Sequence, residues 1–273
     1  MSADHLLRDH APITDAGWKL IDAEARERLL PGLAARRLVD FSGPHGWEHS
    51  ATNLGRVERG NVSGLKGVEA SRRVVLALIE LRSRFTVSRE ELRASDRGAE
   101  NVDFASLDAA AQRIVDAENV AVFHAWPKAG IEGITQSTPH KPIVRGKSFD
   151  DYPGCVARAV ELLLRNGISG PYGLALGRED YTSVVETAEH GGYPLLDHLR
   201  SVIKGPIAWA PGVDGAVLVS MRGGDFVFES GEDLSVGYES HDEEAVSLYI
   251  EESYSFRVLT PEAAVAIASP KGR

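Results

Sequence analysis

The sequence predicts an α+β fold, because it mixes stretches with helical apolar spacing and stretches with the two-residue alternation of a strand. Apolar residues recur on one helix face in residues 14–30 and again in residues 104–124. In residues 246–258, apolar and polar side chains alternate. The first two patterns predict long helices, and the third predicts part of a C-terminal sheet.

Length and composition narrow the class of protein. A chain of 273 residues with 43% hydrophobic residues suggests one large or two modest domains. The formal net charge of -10 argues against a protein that binds nucleic acid through phosphate contacts. Cys155 is the only cysteine, which excludes an intrachain disulfide and fits a reducing cytoplasm. No apolar run has signal-peptide or membrane-spanning length, so we expect a cytoplasmic protein without a membrane partner.

The first predicted helix occupies residues 14–30. Thr14 is a suitable N-cap residue, and Pro31-Gly32 interrupts the pattern. The Gly- and Pro-rich residues 41–46 predict irregular structure. The apolar stripe of the helix, which predicts its buried face, consists of Trp18, Ile21, Ala25 and Leu29.

An extended arm is predicted next. Residues 47–87 favour extended structure and carry glycines at 55, 60, 64 and 67. Such loosely patterned strand and turn make a poor core. A ten-residue strand rises roughly 33 Å, so a hairpin here is long enough to cross onto a neighbouring subunit.

The middle of the chain alternates between helical and strand patterns. Ser88-Arg89-Glu90-Glu91 fits a capping box before a short helix. Glu118 falls within the apolar stripe of the helix predicted for residues 104–124. The remaining predicted elements are a helix that starts at 148–151 and ends at Asn166-Gly167, a buried strand at Tyr172–Leu176, helices at 179–189 and Leu195–Ile203, and a strand at 207–210.

The C-terminal part is predicted to be an antiparallel sheet. Asp214-Gly215 is a turn signal, and two short strand patterns, Ala216–Ser220 and 226–229, precede the long one. Alternation in residues 246–258 predicts one buried and one solvated face. Glu252 breaks the apolar side of this pattern.

His45-Gly46-Trp47-Glu48-His49 matches the H-x-x-E-H pattern of inverted zinc peptidases. That chemistry needs a helix on which both histidines point to one metal and the glutamate reaches the bound water. Gly43-Pro44 precedes the motif and Gly46 lies inside it, and both disfavour a helix. We therefore favour a turn with an anchoring Trp47. A metallopeptidase that uses His45, Glu48 and His49 is the alternative hypothesis.

No other cluster in the sequence predicts catalysis. The other histidines form no pair at metal-ligand spacing, and neither a phosphate-binding glycine motif nor a Gly-x-Ser-x-Gly elbow occurs. His190 lies in a Gly-rich loop and is interpreted either as solvent-exposed or as a pore-lining group that titrates near neutrality. The residues predict no enzyme activity, no metal and no cofactor.

Short motifs in a particular order carry the most specific signal in the sequence. They include Arg8-Asp9-His10-Ala11-Pro12-Ile13-Thr14, Arg36-Arg37-Leu38-Val39-Asp40, Gly43-Pro44-His45-Gly46-Trp47-Glu48-His49, Ile79-Glu80-Leu81-Arg82, Gly130-Ile131-Glu132-Gly133-Ile134, Gly170-Pro171-Tyr172, Gly192-Tyr193-Pro194, Met221-Arg222-Gly223-Gly224-Asp225-Phe226 and Asp233-Leu234-Ser235-Val236-Gly237-Tyr238. Taken together over nearly the whole chain, they resemble the encapsulins, bacterial shell proteins that build hollow icosahedral compartments.

The resemblance implies the capsid fold of tailed phages, which has a P-domain, an extended E-loop and an A-domain. On this chain it implies the following division: a lumen-facing helix and part of the P-domain in residues 1–46, the E-loop in 47–74, the P-domain with the long helix in 75–131, the A-domain in 132–221 and the C-terminal P-domain sheet in 222–273.

The resemblance also implies two functional sites. In the family, a short tail of the cargo protein docks in a groove between the first helix and the P-domain. The matching positions here are Leu29, Leu33, Arg36, Asp40, Leu234 and Ile250. The loop that rings the five-fold pore matches Glu189, His190, Gly191, Gly192 and Tyr193, with one glycine more than the common pattern.

The implied partners are further copies of the chain, sixty in the smallest icosahedral shell, and a cargo protein with a C-terminal targeting peptide. Family cargo is usually a ferritin-like ferroxidase or a dye-decolorising peroxidase, and we favour the ferritin-like cargo, which implies iron storage and oxidative-stress defence. A prophage major capsid protein shares the fold and is an alternative. A phage subunit usually brings a scaffolding or protease-cleaved segment, whereas this chain begins at the lumen-type helix.

Overall fold

Two five-stranded sheets and a separate two-stranded hairpin organise the part of the chain that the computed structural model describes, residues 5–60, 68–146, 148–188 and 192–270. The helices are α1 (Asp15–Leu29), α2 (Ala35–Leu38), α3 (Arg89–Asp96), α4 (Ala105–Asn119), α5 (Ile134–Ser137), α6 (Tyr152–Arg165), α7 (Arg178–Glu186) and α8 (Leu195–Ile203). The strands are β1 (Asp40–Ser42), β2 (Ala51–Gly60), β3 (Ala70–Ala77), β4 (Ile79–Ser88), β5 (Ile143–Val144), β6 (Tyr172–Leu176), β7 (Ile207–Trp209), β8 (Ala216–Ser220), β9 (Phe226–Ser230), β10 (Ser235–His241), β11 (Ala245–Val258) and β12 (Ala264–Ala268).

The first sheet is built on β11, its longest strand. β11 pairs antiparallel with β4 along one edge and with β10 and β9 along the other, and β1 joins β9 in parallel. The predicted antiparallel C-terminal sheet is confirmed for β9, β10 and β11. β8 belongs instead to the second sheet, because the turn at Gly223 and Gly224, both at positive φ, redirects the chain between β8 and β9.

The predicted solvated face of β11 is wrong for the middle of the strand. Glu251, Ser253 and Ser255 have the polar parity but are buried. Neighbouring segments cover them: Thr52 Oγ1 lies 2.6 Å from Ser255 Oγ, and Arg82 donates a hydrogen bond of 2.6 Å to Glu251. The polar residues on this face are therefore paired within the protein instead of being hydrated.

The second sheet has the strand order β5-β12-β8-β6-β7 and packs against α6, α7 and α8. Every residue of β6 is buried, as predicted for a strand inside a sheet with both faces covered. Helix α6 also follows its prediction. Ser148 accepts a hydrogen bond from the Asp150 N–H before the helix, and Asn166 caps its end before Gly167 at positive φ.

Helix α1 begins as predicted, because the Thr14 side chain accepts a hydrogen bond of 3.0 Å from the Gly17 N–H. Its predicted stripe is buried and packs on α4, which itself lies across β4 and β11. The predicted irregular segment at 41–46 is wrong at its start, since Phe41 belongs to β1 and stacks on Phe228 of β9.

The start of α3 and the end of the helix that begins with α4 differ in detail from the patterns in the sequence. Ser88 caps α3 through the Glu90 N–H, but Glu91 accepts from the Asp103 N–H and does not close the capping box. The helix predicted for 104–124 is confirmed as α4 followed by a π-helical turn at Val120–His124.

The hairpin of β2 and β3 confirms the extended structure predicted for this part of the chain. The two strands pair with each other and with no third strand among the described residues, and their register runs from Ala51 opposite Ala77 to Gly60 opposite Ala70. Val57 and Val75 are about half exposed on it. The hairpin therefore has a backbone ladder that is interrupted by one irregularity between Asn53 and Arg56, and it exposes apolar side chains.

At Gly177, in the turn between β6 and α7, there is no room for a larger side chain. A Cβ atom at Gly177 would lie 2.2 Å from the Val213 carbonyl oxygen, so Gly177→Ala forces two backbone segments apart. We expect a loss of about 1–3 kcal/mol and a lower midpoint of thermal unfolding. Gly154→Ala is the matched control, because its nearest neighbouring atom would be 3.7 Å away and alanine favours the helix. Equal midpoints for the two variants would contradict this packing.

Candidate docking groove

An open groove lies between α1, the turn that follows it, and the β10–β11 side of the first sheet. Its volume is about 590 Å³. The apolar side chains that line it come from both walls: Leu6, Ala23, Ala25, Leu29, Leu30 and Leu33 from the N-terminal part, and Leu234, Val236 and Ile250 from the sheet side. The polar ones are Arg8, Asp22, Arg26, Arg36, Asp233 and Ser235. The result is an apolar trough with charged groups along its rim.

The structure brings together five of the six residues that the sequence assigned to this groove: Leu29, Leu33, Arg36, Leu234 and Ile250. Asp40 does not line it. The chain turns after α2 into β1, and there the Asp40 carboxylate accepts a hydrogen bond of 2.6 Å from the Gly224 N–H. Asp40 therefore holds the turn between β8 and β9 and lies outside the groove.

The rim contains groups that the sequence did not assign. Arg8 pairs with Asp22, lies over the Trp18 ring at 4.4 Å and donates to the Val236 carbonyl at 2.8 Å. Helical spacing alone places Asp22 and Arg26 near Leu29, so these two were predictable from α1. Arg8 and Val236 are 228 positions apart, and no local pattern relates them.

The N-terminal segment also covers the outer edge of β10. The Tyr238 N–H donates a hydrogen bond of 2.8 Å to the Leu6 carbonyl, and Leu6 lines the groove. Together with the bond from Arg8 to Val236, this contact fixes one end of the groove to the sheet.

A buried cluster of charges lies beneath the groove. Arg36 donates to Glu118 of α4 at 2.7 Å, to Glu252 of β11 at 2.5 Å and to Asp233 of the β9–β10 loop. The side chains of Glu118 and Glu252 are 0% and 1% exposed, whereas that of Asp233 is 46% exposed. Arg36 therefore joins three separate elements to the segment after α1.

Burial and neighbouring charges shift the pKa values in this cluster. Burial, reinforced by the charge of Glu118, raises the pKa of Glu252 well above its ordinary value despite the opposing effect of Arg36. Burial alone would lower the pKa of Arg36, but Glu118, Glu252 and Asp233 outweigh it and raise that pKa. The cluster explains both charged residues that interrupt apolar sequence patterns, Glu118 in α4 and Glu252 in β11.

The H-x-x-E-H segment is a turn and not the helix that the metallopeptidase hypothesis requires. His45 bonds to Ser42 at 3.0 Å, His49 bonds to Glu229 at 2.9 Å, and Trp47 stacks on His5 with ring centroids 4.3 Å apart. The two histidines therefore have different polar partners and are not presented by a helix. Within the described residues, no group of three or more His, Cys, Asp or Glu side chains is arranged to hold a metal ion.

Only the ends of the predicted pore loop can be described, because Glu189, His190 and Gly191 lie outside the described residues. Ala188 and Pro194 form a β-bridge, and the Leu195 N–H donates to the Thr187 carbonyl at 3.1 Å. Gly192 has positive φ, and Tyr193 is about half exposed. The two ends of the loop are adjacent, and its role at a pore stays a prediction.

Solved structures establish the class of fold. A chain of the virus-like particle from Pyrococcus furiosus matches with a TM-score of 0.60 and 17% identity over 91% of this chain and 98% of that one. A chain from Mycobacterium phage Bobi matches with a TM-score of 0.54 and 13% identity over 88% and 91% of the two chains. The α+β fold is therefore that of tailed-phage capsid proteins, as the sequence motifs implied.

Sequence comparison identifies the family. Residues 3–255 match the model of the Linocin_M18 family, which is described as an encapsulating protein for peroxidase. Type 1 encapsulin shell proteins are 45% identical in Rhodospirillum rubrum, over 96% of this chain and 95% of that one, and 40% identical in Brevibacterium linens, over 97% and 99%. The chain belongs to this family of encapsulin shell proteins, so it is a structural subunit and not an enzyme. Among the described residues, no helix has the length and apolarity to cross a membrane.

Arg36 offers a test of the buried cluster. Arg36→Met leaves Glu118 and Glu252 without their cation, and we expect a loss of about 3–5 kcal/mol, measured by thermal or denaturant unfolding. Arg37→Met is the matched control, because Arg37 is exposed and has no ion-pair partner in the described part of the chain. Its effect is expected to stay within about 0.5 kcal/mol. Similar effects for both variants would refute the structural role of the cluster.

Proposed function

We propose that this chain is the repeating subunit of a closed cytoplasmic nanocompartment, and that its groove binds the C-terminal targeting peptide of a cargo protein. The observation that supports this proposal most directly is the groove itself. It lies between the first helix and the sheet, where family resemblance placed the cargo site, and five of the six matching residues line it.

The dimensions and lining of the groove suit an extended peptide. Its volume of about 590 Å³ lies within the usual range for ligand sites. Apolar side chains from Leu29, Leu33, Leu234 and Ile250 offer contacts to apolar residues of a bound segment. Charged groups at the rim then fix its register and direction. We infer a peptide with a few apolar side chains separated by small residues, because a space of about 590 Å³ accommodates a few side chains and not a folded domain.

The hairpin of β2 and β3 supports self-assembly. It exposes Val57 and Val75 and carries the cations Arg56, Arg72 and Arg73 on a chain whose net charge is -10. Contact with the acidic body of a neighbouring copy would cover the apolar side chains and bring opposite charges together. We infer a closed shell, with sixty copies as the smallest icosahedral arrangement, and a pore ringed by residues 189–193.

The cargo is proposed by class. The description of the family names a peroxidase, which supports a dye-decolorising peroxidase, and a ferritin-like ferroxidase is the second cargo that the family resemblance implies. Both would give the compartment a role in oxidative-stress defence, and the ferritin-like cargo would add iron storage. A prophage capsid role has less support, because the relatives with 36–45% identity are shell proteins of compartments, whereas the phage chains share only the fold.

Cargo loading tests the groove. Leu30 lines the groove but is 52% exposed, so Leu30→Asp places a charge in the apolar trough without disturbing the core. We expect assembled particles with at least roughly tenfold less cargo, since losing one apolar contact of about 1.5–3 kcal/mol has an effect of this size. The probe is a fluorescent protein that is fused to the C-terminal segment of a peroxidase or of a ferritin-like protein. This fusion is produced together with the shell subunit.

The control for this experiment is Ala16→Asp, which adds the same charge to an exposed position of α1 that does not line the groove. Loading should be normal in this control. If the Leu30 variant loads as well as the wild-type chain, the groove is not the docking site, and the proposal of self-assembly is tested separately.

Removal of the hairpin tests self-assembly. Asn53 and Val75 are paired across the two strands, so residues 54–74 can be replaced by a two-residue Asn-Gly turn without straining the ends. We expect subunits that fold, with unchanged near-ultraviolet circular dichroism, but that sediment as monomers or small oligomers. Closed particles of normal size in electron micrographs would show that the hairpin is dispensable for assembly.

A further inference from the structure

Three buried polar atoms beneath the groove have no hydrogen-bond partner among the described residues. They are Glu118 Oε1, Glu252 Oε1 and Tyr254 Oη. Each glutamate uses its second oxygen, Oε2, to accept from Arg36. An unpaired carboxylate oxygen in such a place is costly, so two of them in one cluster need a physical explanation.

The two carboxyl groups are close to each other. Arg36 donates to Glu118 through Nε at 2.7 Å and to Glu252 through Nη2 at 2.5 Å, and because these two nitrogens share one edge of the guanidinium, the two accepting oxygens are neighbours. Two ionised carboxylates at this separation repel each other, and neither can donate a hydrogen bond. One proton between them removes the repulsion, and it also supplies the missing donor, because the protonated carboxyl group donates a hydrogen bond to the ionised one.

The count of charges in the cluster also indicates one added proton. The side chains that face one another are Arg36 from α2, Glu118 from α4, Glu252 and Tyr254 from β11, and Asp233 from the β9–β10 loop. Asp233 is partly hydrated, since its side chain is 46% exposed. The remaining buried charges are one cation and two carboxylates, a net charge of +1 - 2 = -1. Neutrality of this buried part requires one added proton.

We propose that Glu118 and Glu252 share one proton at neutral pH, so that a carboxyl–carboxylate hydrogen bond joins α4 to β11 beneath the groove. The proton lets a single guanidinium, that of Arg36, neutralise both buried glutamates. It thereby fixes the segment that follows α1 against the sheet. This proposal concerns the folded subunit and does not depend on the proposed binding of cargo.

The direction of the pKa shift of Glu252 agrees with this arrangement. Burial and the neighbouring Glu118 raise that pKa well above its ordinary value, so the folded chain keeps a proton that the unfolded chain releases above about pH 4.5. The contribution of this proton to the stability of the folded chain is complete below that pH. It decreases as the pH rises towards the raised pKa, by up to tenfold in the folded-to-unfolded ratio per pH unit. The pair therefore becomes weaker in alkali.

Infrared spectroscopy of the intact protein tests the shared proton. A protonated carboxyl group has a C=O stretching band that an ionised carboxylate lacks, and exchange into D₂O shifts this band. We would compare the wild-type chain at pH 7 with Glu118→Gln, with Glu252→Gln and with the double variant. Glutamine has the shape of a protonated glutamate, so these substitutions preserve the packing.

The stoichiometry of the band decides the outcome. One shared proton predicts that each single variant loses the band of one carboxyl group and that the double variant loses no more. Two ionised glutamates predict no loss in any variant, and two protonated glutamates predict twice the loss in the double variant. Either of these results would overturn the proposal. Glu243→Gln, at an exposed position in the turn before β11, is the control and should leave the band unchanged.

The wild-type chain alone provides a second measurement if a variant does not fold. Raising the pH from neutrality should remove carboxyl band intensity while the protein is still folded. A wild-type spectrum without any carboxyl band at pH 7 would refute the shared proton. Glu251 does not confuse the comparison between variants, because it lies on the other face of β11, with Arg82 and His5.

Discussion

Arg36 is the residue on which the arrangement of the N-terminal segment depends. Its guanidinium contacts carboxylates from a helix, a strand and a loop that are distant in sequence, and it also lies 5.2 Å from the ring of Phe228. A buried cation with this many partners is costly to separate from them. The chain between α1 and β1 is therefore held at one place on the sheet, and the groove above Arg36 has a fixed floor.

The hairpin shows the opposite principle. Its strands pair with each other around one irregularity in the register, and Val57 and Val75 are about half exposed, although Thr52 near the base is buried against Ser255. A two-stranded hairpin of this kind is marginally stable by itself. The core of the described residues lies in the body of the subunit, and in the proposed shell a neighbouring copy would cover the hairpin. This division fits a protein whose function is to build a container.

Much of this fold was predictable from the sequence, because local patterns determine it. The apolar stripe of α1, the buried strand β6 and the Gly-ended helix α6 all follow from periodicity and capping residues. The interruption of two apolar patterns by Glu118 and Glu252 was visible as well, but nothing in the sequence indicated that Arg36 joins them. Long-range pairing of this kind is a property of the tertiary structure.

The errors have the same origin. The polar parity of β11 predicted a solvated face, but segments far away in sequence cover it, and their side chains supply the partners of Glu251 and Ser255. Asp40 matched the family pattern of the groove, yet the direction of β1 takes it to the turn at Gly224. Leu29 of α1 and Ile250 of β11 line the groove as members of regular elements whose faces periodicity determines, whereas Leu33, Arg36 and Leu234 lie outside these two elements and were assigned by family resemblance alone.

The contact between the N-terminal segment and β10 has a consequence for recognition. The unpaired backbone amides and carbonyls of an edge strand can ordinarily form hydrogen bonds with another extended chain. Here the carbonyl of Leu6 and the guanidinium of Arg8 already engage Tyr238 and Val236 of that edge. A peptide in the groove would therefore be unable to pair with the sheet at these two groups, and recognition there would depend on its side chains. The same two contacts also leave these groups unavailable for pairing with the strand edge of another chain.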